Sequence, residues 1–158
     1  MALMGYSQGA QVVGDTLCGR DDKGFVNNTA PFTAPGWKLS MCFIFLLFNL
    51  TDLRRGLTIP VQVIAAIQYA DLAFNTTDSF HIDNATTNGV FLRKNVTACD
   101  PFKPVLRSYC DAGDTWCAGA PDTPAGEAIH GSYVGIYGNE TVDWVVGKYN
   151  AFRATTPV

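Results

Sequence analysis

A chain of 158 residues, 47% apolar and 16% charged, has the length and apolar content of one globular domain. Its formal charge of −3, with Lys and Arg scattered along the chain, excludes the basic patch that nucleic acid or an anionic membrane surface would need. Five cysteines without C-x2-C spacing or histidine partners argue against a metal centre, so neither metal nor cofactor is expected.

Ala2 to Met4 reads as the end of a buried strand, Gly5-Tyr6-Ser7-Gln8-Gly9 as a tight turn, and Ala10 to Leu17 as a helix. Breaker residues make Gly19 to Pro35 a loop. Val63 to Tyr69, mostly apolar and partly β-branched, suits a strand buried on both faces of a parallel sheet. Asn75 to Thr97 is polar and lacks helical period, so it is expected to be mainly surface loop. Pro104 to Tyr109 is a third strand candidate, and Ala112 to Tyr137 a long Gly, Pro and Ala-rich connection. Val142, Val145, Val146, Tyr149 and Phe152 then recur at helical spacing, which predicts an amphipathic helix over Glu140 to Phe152 with Asn139 as its N-cap.

Residues 39–62 do not fit this plan. Their apolar core, Met41 to Phe48, is much shorter than the roughly 20 residues that span a bilayer. A buried hydrophobic element and an anomalous insert translated from a retained intron both remain open. Removing the stretch would join Lys38 to Val63 through a loop of ordinary length.

Six N-x-[ST] sequons, at Asn27, Asn49, Asn75, Asn84, Asn95 and Asn139, together with the cysteines suit a secreted, extracellular glycoprotein. A secreted chain should open on a signal peptide, yet a candidate active-site turn begins at the fifth residue. The expectation is a copy that lacks its N-terminal part, signal peptide included.

Gly5-Tyr6-Ser7-Gln8-Gly9 fits G-x-S-x-G, whose glycines allow the strained strand-to-helix turn that lifts a nucleophilic Ser clear of a sheet; as a bland alternative, Ser7 merely caps the helix. A Ser nucleophile needs a His to take its proton and an acid to orient that His. Of two histidines, His81 lies in the sequon-rich loop, while His130 precedes the C-terminal helix, in keeping with the chain order Ser, acid, His. The acid is to be sought among Asp71, Asp100, Asp111, Asp114 and Asp122. Asp114 would sit inside a small disulfide loop after the third strand, and Asp71, just after the second strand, is the runner-up.

Gly-Tyr-Ser-Gln-Gly-Ala with Cys18 eleven residues after the Ser, then Cys110-x3-Asp114-x2-Cys117, and His130 before the last helix, resembles the fungal cutinase and acetylxylan esterase family over most of residues 1–38 and 63–152. The resemblance implies a three-layer α/β/α hydrolase sandwich with a parallel sheet, here a single partial domain over 1–158 without its first strands and helix. It implies a Ser7, Asp114 and His130 triad, an oxyanion donor at the Gln8 N–H, and Cys110–Cys117 and Cys18–Cys99 pairing, with Cys42 left odd inside the insert. The implied activity is hydrolysis of carboxylic esters, with acetylated xylan or a cutin-like polyester as substrate, by a monomer without cofactor, nucleic acid or membrane. A second oxyanion donor would lie on a loop that is expected to be missing, and the first strand would be left as an unpaired edge. The chain on its own is therefore expected to fold poorly and turn over little. A non-catalytic relic or binding module that keeps the fold is the alternative.

Overall fold

Two short strands begin the sheet, each ending where a tight turn must start. The computed structural model describes residues 1–20 and 62–155, and in it β1 (Ala2–Tyr6) runs parallel to β2 (Ala65–Tyr69), with Ala2 opposite Ala65 and Tyr6 opposite Tyr69. β3 (Leu106–Tyr109) continues the ladder on the other side of β2, with Ala66 opposite Leu106 and Tyr69 opposite Tyr109, so the order is β1-β2-β3. All five residues of β2 are buried, as an apolar run flanked on both edges requires.

Alternation along the strands splits the core into two. On one face Ala66 and Leu106 pack with Val13, Leu17 and Cys18 of α1 (Gln8–Cys18) and with Phe80, Cys99 and Phe102. On the other, Ile67, Tyr69 and Tyr109 pack with Tyr133, Tyr137, Trp144 and Val145 of α3 (Tyr133–Thr155). Helices cover both faces of a parallel sheet, which is the three-layer α/β/α arrangement.

Several expectations need correction. β1 is the edge strand expected, but only on its outer side among the described residues, since its inner side hydrogen-bonds to β2. The third strand starts at Leu106 rather than Pro104, because Val96–Val105 is a 3-10 segment containing Pro101 and Pro104, and prolines lack the N–H a ladder needs.

The Ala112 to Tyr137 connection contains α2 (Pro124–His130), started by Pro124 and by Thr123, whose hydroxyl accepts from the Gly126 N–H at 3.1 Å. The last helix opens at Tyr133, about two turns before Glu140, so Asn139 is internal and caps nothing. Its core-facing stripe begins with Tyr133 and Tyr137, four residues apart on one face.

The Asn75 to Thr97 stretch has no helix or full strand until the 3-10 segment at Val96, yet it is not simply surface: Asp78, Phe80, Ala85 and Arg93 are buried. Arg93 crosses to α1, donating to Gly19 O at 2.7 Å and Asp15 Oδ1 at 2.9 Å. The apolar run Met41 to Phe48, the rest of the insert up to residue 61, Cys42, Asn27 and Asn49 lie outside the described residues. No helix among the described residues is long and apolar enough to cross a membrane.

Candidate active site

Ser7 stands where β1 hands over to α1. Its backbone is at φ 56° and ψ −124°, a conformation in which an L-residue is strained. The turn is held by the Ser7 N–H donating to Tyr69 O at 2.9 Å and by Ser7 O accepting from the Ala10 and Gln11 N–H groups at 3.0 and 3.2 Å. Gly5 permits the close approach: a Cβ there would lie 2.2 Å from Gly9 O. The Gln8 N–H follows immediately, at the first position of α1, where an amide has no acceptor within the helix.

Asp114 lies in the loop after β3 closed by the Cys110–Cys117 disulfide, and its side chain is fully buried. Its Oδ1 accepts from the backbone N–H groups of Trp116 and Cys117 at 2.7 and 2.9 Å, and its Oδ2 from the Tyr133 hydroxyl at 2.9 Å. Between them these donors fix the orientation of the carboxylate.

His130 is the last residue of α2. Its Nδ1 lies 2.9 Å from Asp114 Oδ2 and 3.0 Å from Oδ1, and its Nε2 lies 3.0 Å from Ser7 Oγ. An ionised carboxylate can only accept, so Nδ1 carries the proton and Nε2 is left to accept from the Ser7 hydroxyl, an assignment made from the network.

Two aromatic rings border the imidazole. The Tyr6 hydroxyl donates to His130 O at 2.9 Å, and Trp116, edge-on to the ring, donates from Nε1 to Glu127 Oε1 at 2.9 Å. Burial, then the Asp114 and Glu127 carboxylates, pushes the Tyr6 phenol above its ordinary pKa, so it remains a donor at neutral pH.

Ser7, Asp114 and His130 are thus brought together at the carboxyl ends of β1 and β3, where parallel α/β sheets place their ligand crevices. The competing candidates are elsewhere. His81 forms a bridge with Ser108 beyond β3, at the opposite edge from β1, with its ring against Phe74. The runner-up acid Asp71 is tied to Gln68 Nε2 at 2.8 Å and to the Ala73 N–H at 2.9 Å. Asp111 accepts from Tyr137, Asp100 pairs with Lys103, and Asp122 is exposed. The second disulfide joins Cys18 to Cys99 and ties the end of α1 to the 3-10 segment. Tyr6, Trp116 and Tyr133 were not singled out from the sequence; the only available signal was proximity in the chain to Ser7, Asp114 and His130. Among the described residues no cluster of three or more His, Cys, Asp or Glu side chains is arranged to hold a metal ion.

A family profile described as Cutinase matches residues 1–149. Cutinase 11 of Verticillium dahliae is 26% identical over 96% of this chain and 42% of its own length. An acetylxylan esterase of Hypocrea jecorina is 27% identical over 99% of this chain and 43% of its own length. Among solved structures, the catalytic core domain of acetyl xylan esterase from Trichoderma reesei superposes with a TM-score of 0.65 at 27% identity, covering 93% of this chain and 59% of that one. The chain therefore spans less than half the length of the two curated relatives and about three fifths of the solved domain.

Proposed function

This chain belongs to the cutinase family, and from that premise we propose that the protein hydrolyses carboxylic esters through an acyl-enzyme on Ser7. Ser7 Oγ attacks the ester carbonyl carbon while His130 Nε2 takes its proton, and the imidazolium then gives that proton to the departing alcohol oxygen. Water repeats the sequence against the acyl-serine, releasing the acid and restoring the hydroxyl. Asp114 keeps Nδ1 protonated and faces the positive charge that forms on the ring. The Gln8 N–H, free of any helical acceptor, donates to the oxyanion; one such donor typically contributes about 2.7–4 kcal/mol to the transition state.

The observation that carries this reading is the unbroken line from Ser7 Oγ through His130 to Asp114, with contacts of 3.0 and 2.9 Å. The test is a fluorophosphonate probe on the full chain. Labelling at Ser7 that disappears in Ser7→Ala and falls at least a hundredfold in His130→Gln supports it. A cooperatively unfolding protein that never reacts would sink it.

That negative result is also what the second reading, a non-catalytic relic, requires.

Acetyl esters on xylan are the proposed substrate in preference to cutin. The Cys18–Cys99 bridge matches the acetylxylan esterase-like pattern, and Ala128 to Tyr133 around His130 is small and mixed rather than apolar. Rates on acetylated xylan against a long-chain p-nitrophenyl ester separate the two; preference for the long chain reverses the assignment. We further propose secretion with glycans on Asn84 and Asn95, which are exposed. Asparagine deamidation in heavy-oxygen water after glycosidase treatment reports occupancy, and unmodified peptides at both sites would rule it out.

A further inference from the structure

The buried face of α3 holds a group that a packing role does not explain. Tyr133 is fully buried, with its ring near those of Tyr69 and Tyr137 at 6.4 and 6.0 Å, so a phenylalanine would fill the same space. Its hydroxyl, however, accepts from the Asp111 N–H at 2.7 Å, donates to Asp114 Oδ2 at 2.9 Å, and lies 3.3 Å from Cys117 Sγ. A phenol has one proton. The Asp111 N–H can only donate and a carboxylate can only accept, so the proton is directed at Asp114. Burial first, and the neighbouring aspartates after it, drives this phenol far above its ordinary pKa, so the proton stays in place across the working range.

The two oxygens of Asp114 are held differently. Oδ1 receives two backbone N–H groups, whereas Oδ2, apart from the imidazole, receives a single hydroxyl, that of Tyr133. We propose that Tyr133 is a positioning residue for the acid: by donating to Asp114 Oδ2 it fixes the carboxylate against His130 and sets the pH at which His130 is free to activate Ser7. A carboxylate that shares its charge with a phenol holds an imidazolium less tightly. Removing the phenol proton concentrates that charge on His130, which then stays protonated to higher pH. This inference rests on the esterase reading only for its consequence at Ser7; the effect on His130 stands without it.

Other charges face the same groups. Around His130 these are Asp114, Tyr6 against its carbonyl, Ser7, and Glu127 behind Trp116. Around Tyr133 they are Asp111 and Asp114, with Asp83 beyond them. Asp83 is pushed up to about 7 by burial and then by Asp111, so it titrates near neutral pH, and every measurement is repeated on an Asp83→Asn background.

The experiment follows two readouts on the full chain: the pH dependence of fluorophosphonate labelling, and the NMR titration of the histidine Cε1–H signals. There are two histidines, and His130→Gln assigns the relevant one. In Tyr133→Phe the His130 midpoint and the acid limb of labelling are both expected to rise by about one pH unit, a tenfold loss of reactivity on that limb. Tyr137→Phe, whose hydroxyl donates to Asp111 Oδ1 at 2.7 Å instead, leaves both in place.

Site-specific 3-fluorotyrosine at 133 keeps the shape and strengthens the donor, so it moves both downward, and it decides the matter if the phenylalanine variant does not fold. A His130 midpoint unmoved by either change at 133 overturns the proposal. Wild-type protein that is never labelled, yet whose His130 midpoint responds to Tyr133, would instead overturn the esterase reading and leave Tyr133's role intact.

Discussion

Adding one methyl group at each glycine of the Ser7 turn should have opposite results. A Cβ on Gly5 would meet Gly9 O at 2.2 Å, Gly9 C at 2.4 Å and Ala10 N at 2.6 Å, whereas a Cβ on Gly9 meets nothing within 4 Å. The atoms facing Gly5 are backbone, so no rotamer change can relieve the overlap; α1 must move away from β1 by about 1 Å to restore van der Waals separation. That shift works against Leu17 and Val13, which pin the helix to the sheet, and against the Ser7 N–H bond to Tyr69 O.

Inserting a methylene into a packed core typically costs about 1–3 kcal/mol where side chains can yield. With backbone on both sides Gly5→Ala should cost at least about 3 kcal/mol, and that is a large part of a domain's total stability. Displacing Ser7 Oγ from His130 by about 1 Å should also slow labelling roughly a hundredfold. Gly9→Ala, inside the first turn of α1, should gain up to about 1 kcal/mol from helix propensity, or about 2–4 °C in Tm for a chain of this size. Thermal and urea unfolding followed by circular dichroism, with labelling rates in parallel, measure both. A Gly5→Ala protein that melts and reacts like the parent, or a Gly9→Ala protein as damaged as Gly5→Ala, would show that the turn does not have this geometry.

The Tyr69 hydroxyl donates to Thr141 Oγ1 at 2.6 Å with both side chains buried. Tyr69→Phe and Thr141→Val should each cost about 1–2 kcal/mol, and the double variant less than their sum in urea unfolding; simple additivity would mean that the two are not coupled. The disulfides should rank in opposite orders for stability and reactivity. Sequence separations of 81 and 7 correspond to about 4.5 and 2.5 kcal/mol of chain entropy, so replacing Cys18 and Cys99 by Ser lowers stability more. Replacing Cys110 and Cys117, which close the Asp114 loop, slows Ser7 labelling more, and equal labelling rates in the two variants refute the assignment. For Asp83, a folded pKa raised to about 7 by burial and then Asp111 means the folded state binds the extra proton. Its stabilisation is complete below about pH 4 and lost as pH rises through 7. Asp83→Asn should therefore unfold at higher urea than the parent at pH 8, with no advantage at pH 4; a constant offset across that range contradicts the titration.

Elements with a local signal were legible in the sequence. β2 is an apolar run that burial on both faces demands, the Ser7 turn carries its glycines, and the cysteines framing Asp114 mark their own loop. What escaped depends on contacts made far along the chain. α2 has a Pro, Ala and Gly composition that reads as connection, yet it is helical because Thr123 caps it and Gly126 packs tightly on the Asp114 loop, where a Cβ would come within 2.3 Å of Thr115 Oγ1. The early start of α3 was hidden by Gly135 and Gly138, which weaken helical propensity while Tyr133 and Tyr137 supply the burial. Arg93 is buried in an otherwise polar stretch because Asp15 and Gly19, more than seventy residues earlier, receive its guanidinium, and no window of sequence contains that pairing.

The side chains of Ser7, Asp114 and His130 are held by separate means, and the strengths differ. Ser7 is fixed by backbone against backbone, the stiffest contact a protein has, and its strained φ is sustained only because β1, β2 and α1 all converge there. Asp114 is fixed by a covalent loop, two backbone donors and the Tyr133 phenol. His130 ends a helix of seven residues, too short to be stable by itself, and its position depends on the Tyr6 hydroxyl, on Asp114, and on α2 lying against the acid loop. The imidazole is thus the member whose place is borrowed from its neighbours. That gives physical sense to the contacts around it: with Ser7 and Asp114 firmly held, each added contact to His130, from the Tyr6 hydroxyl, Asp114 and Ser7, narrows the motion of the one member of the three that is otherwise loosely placed.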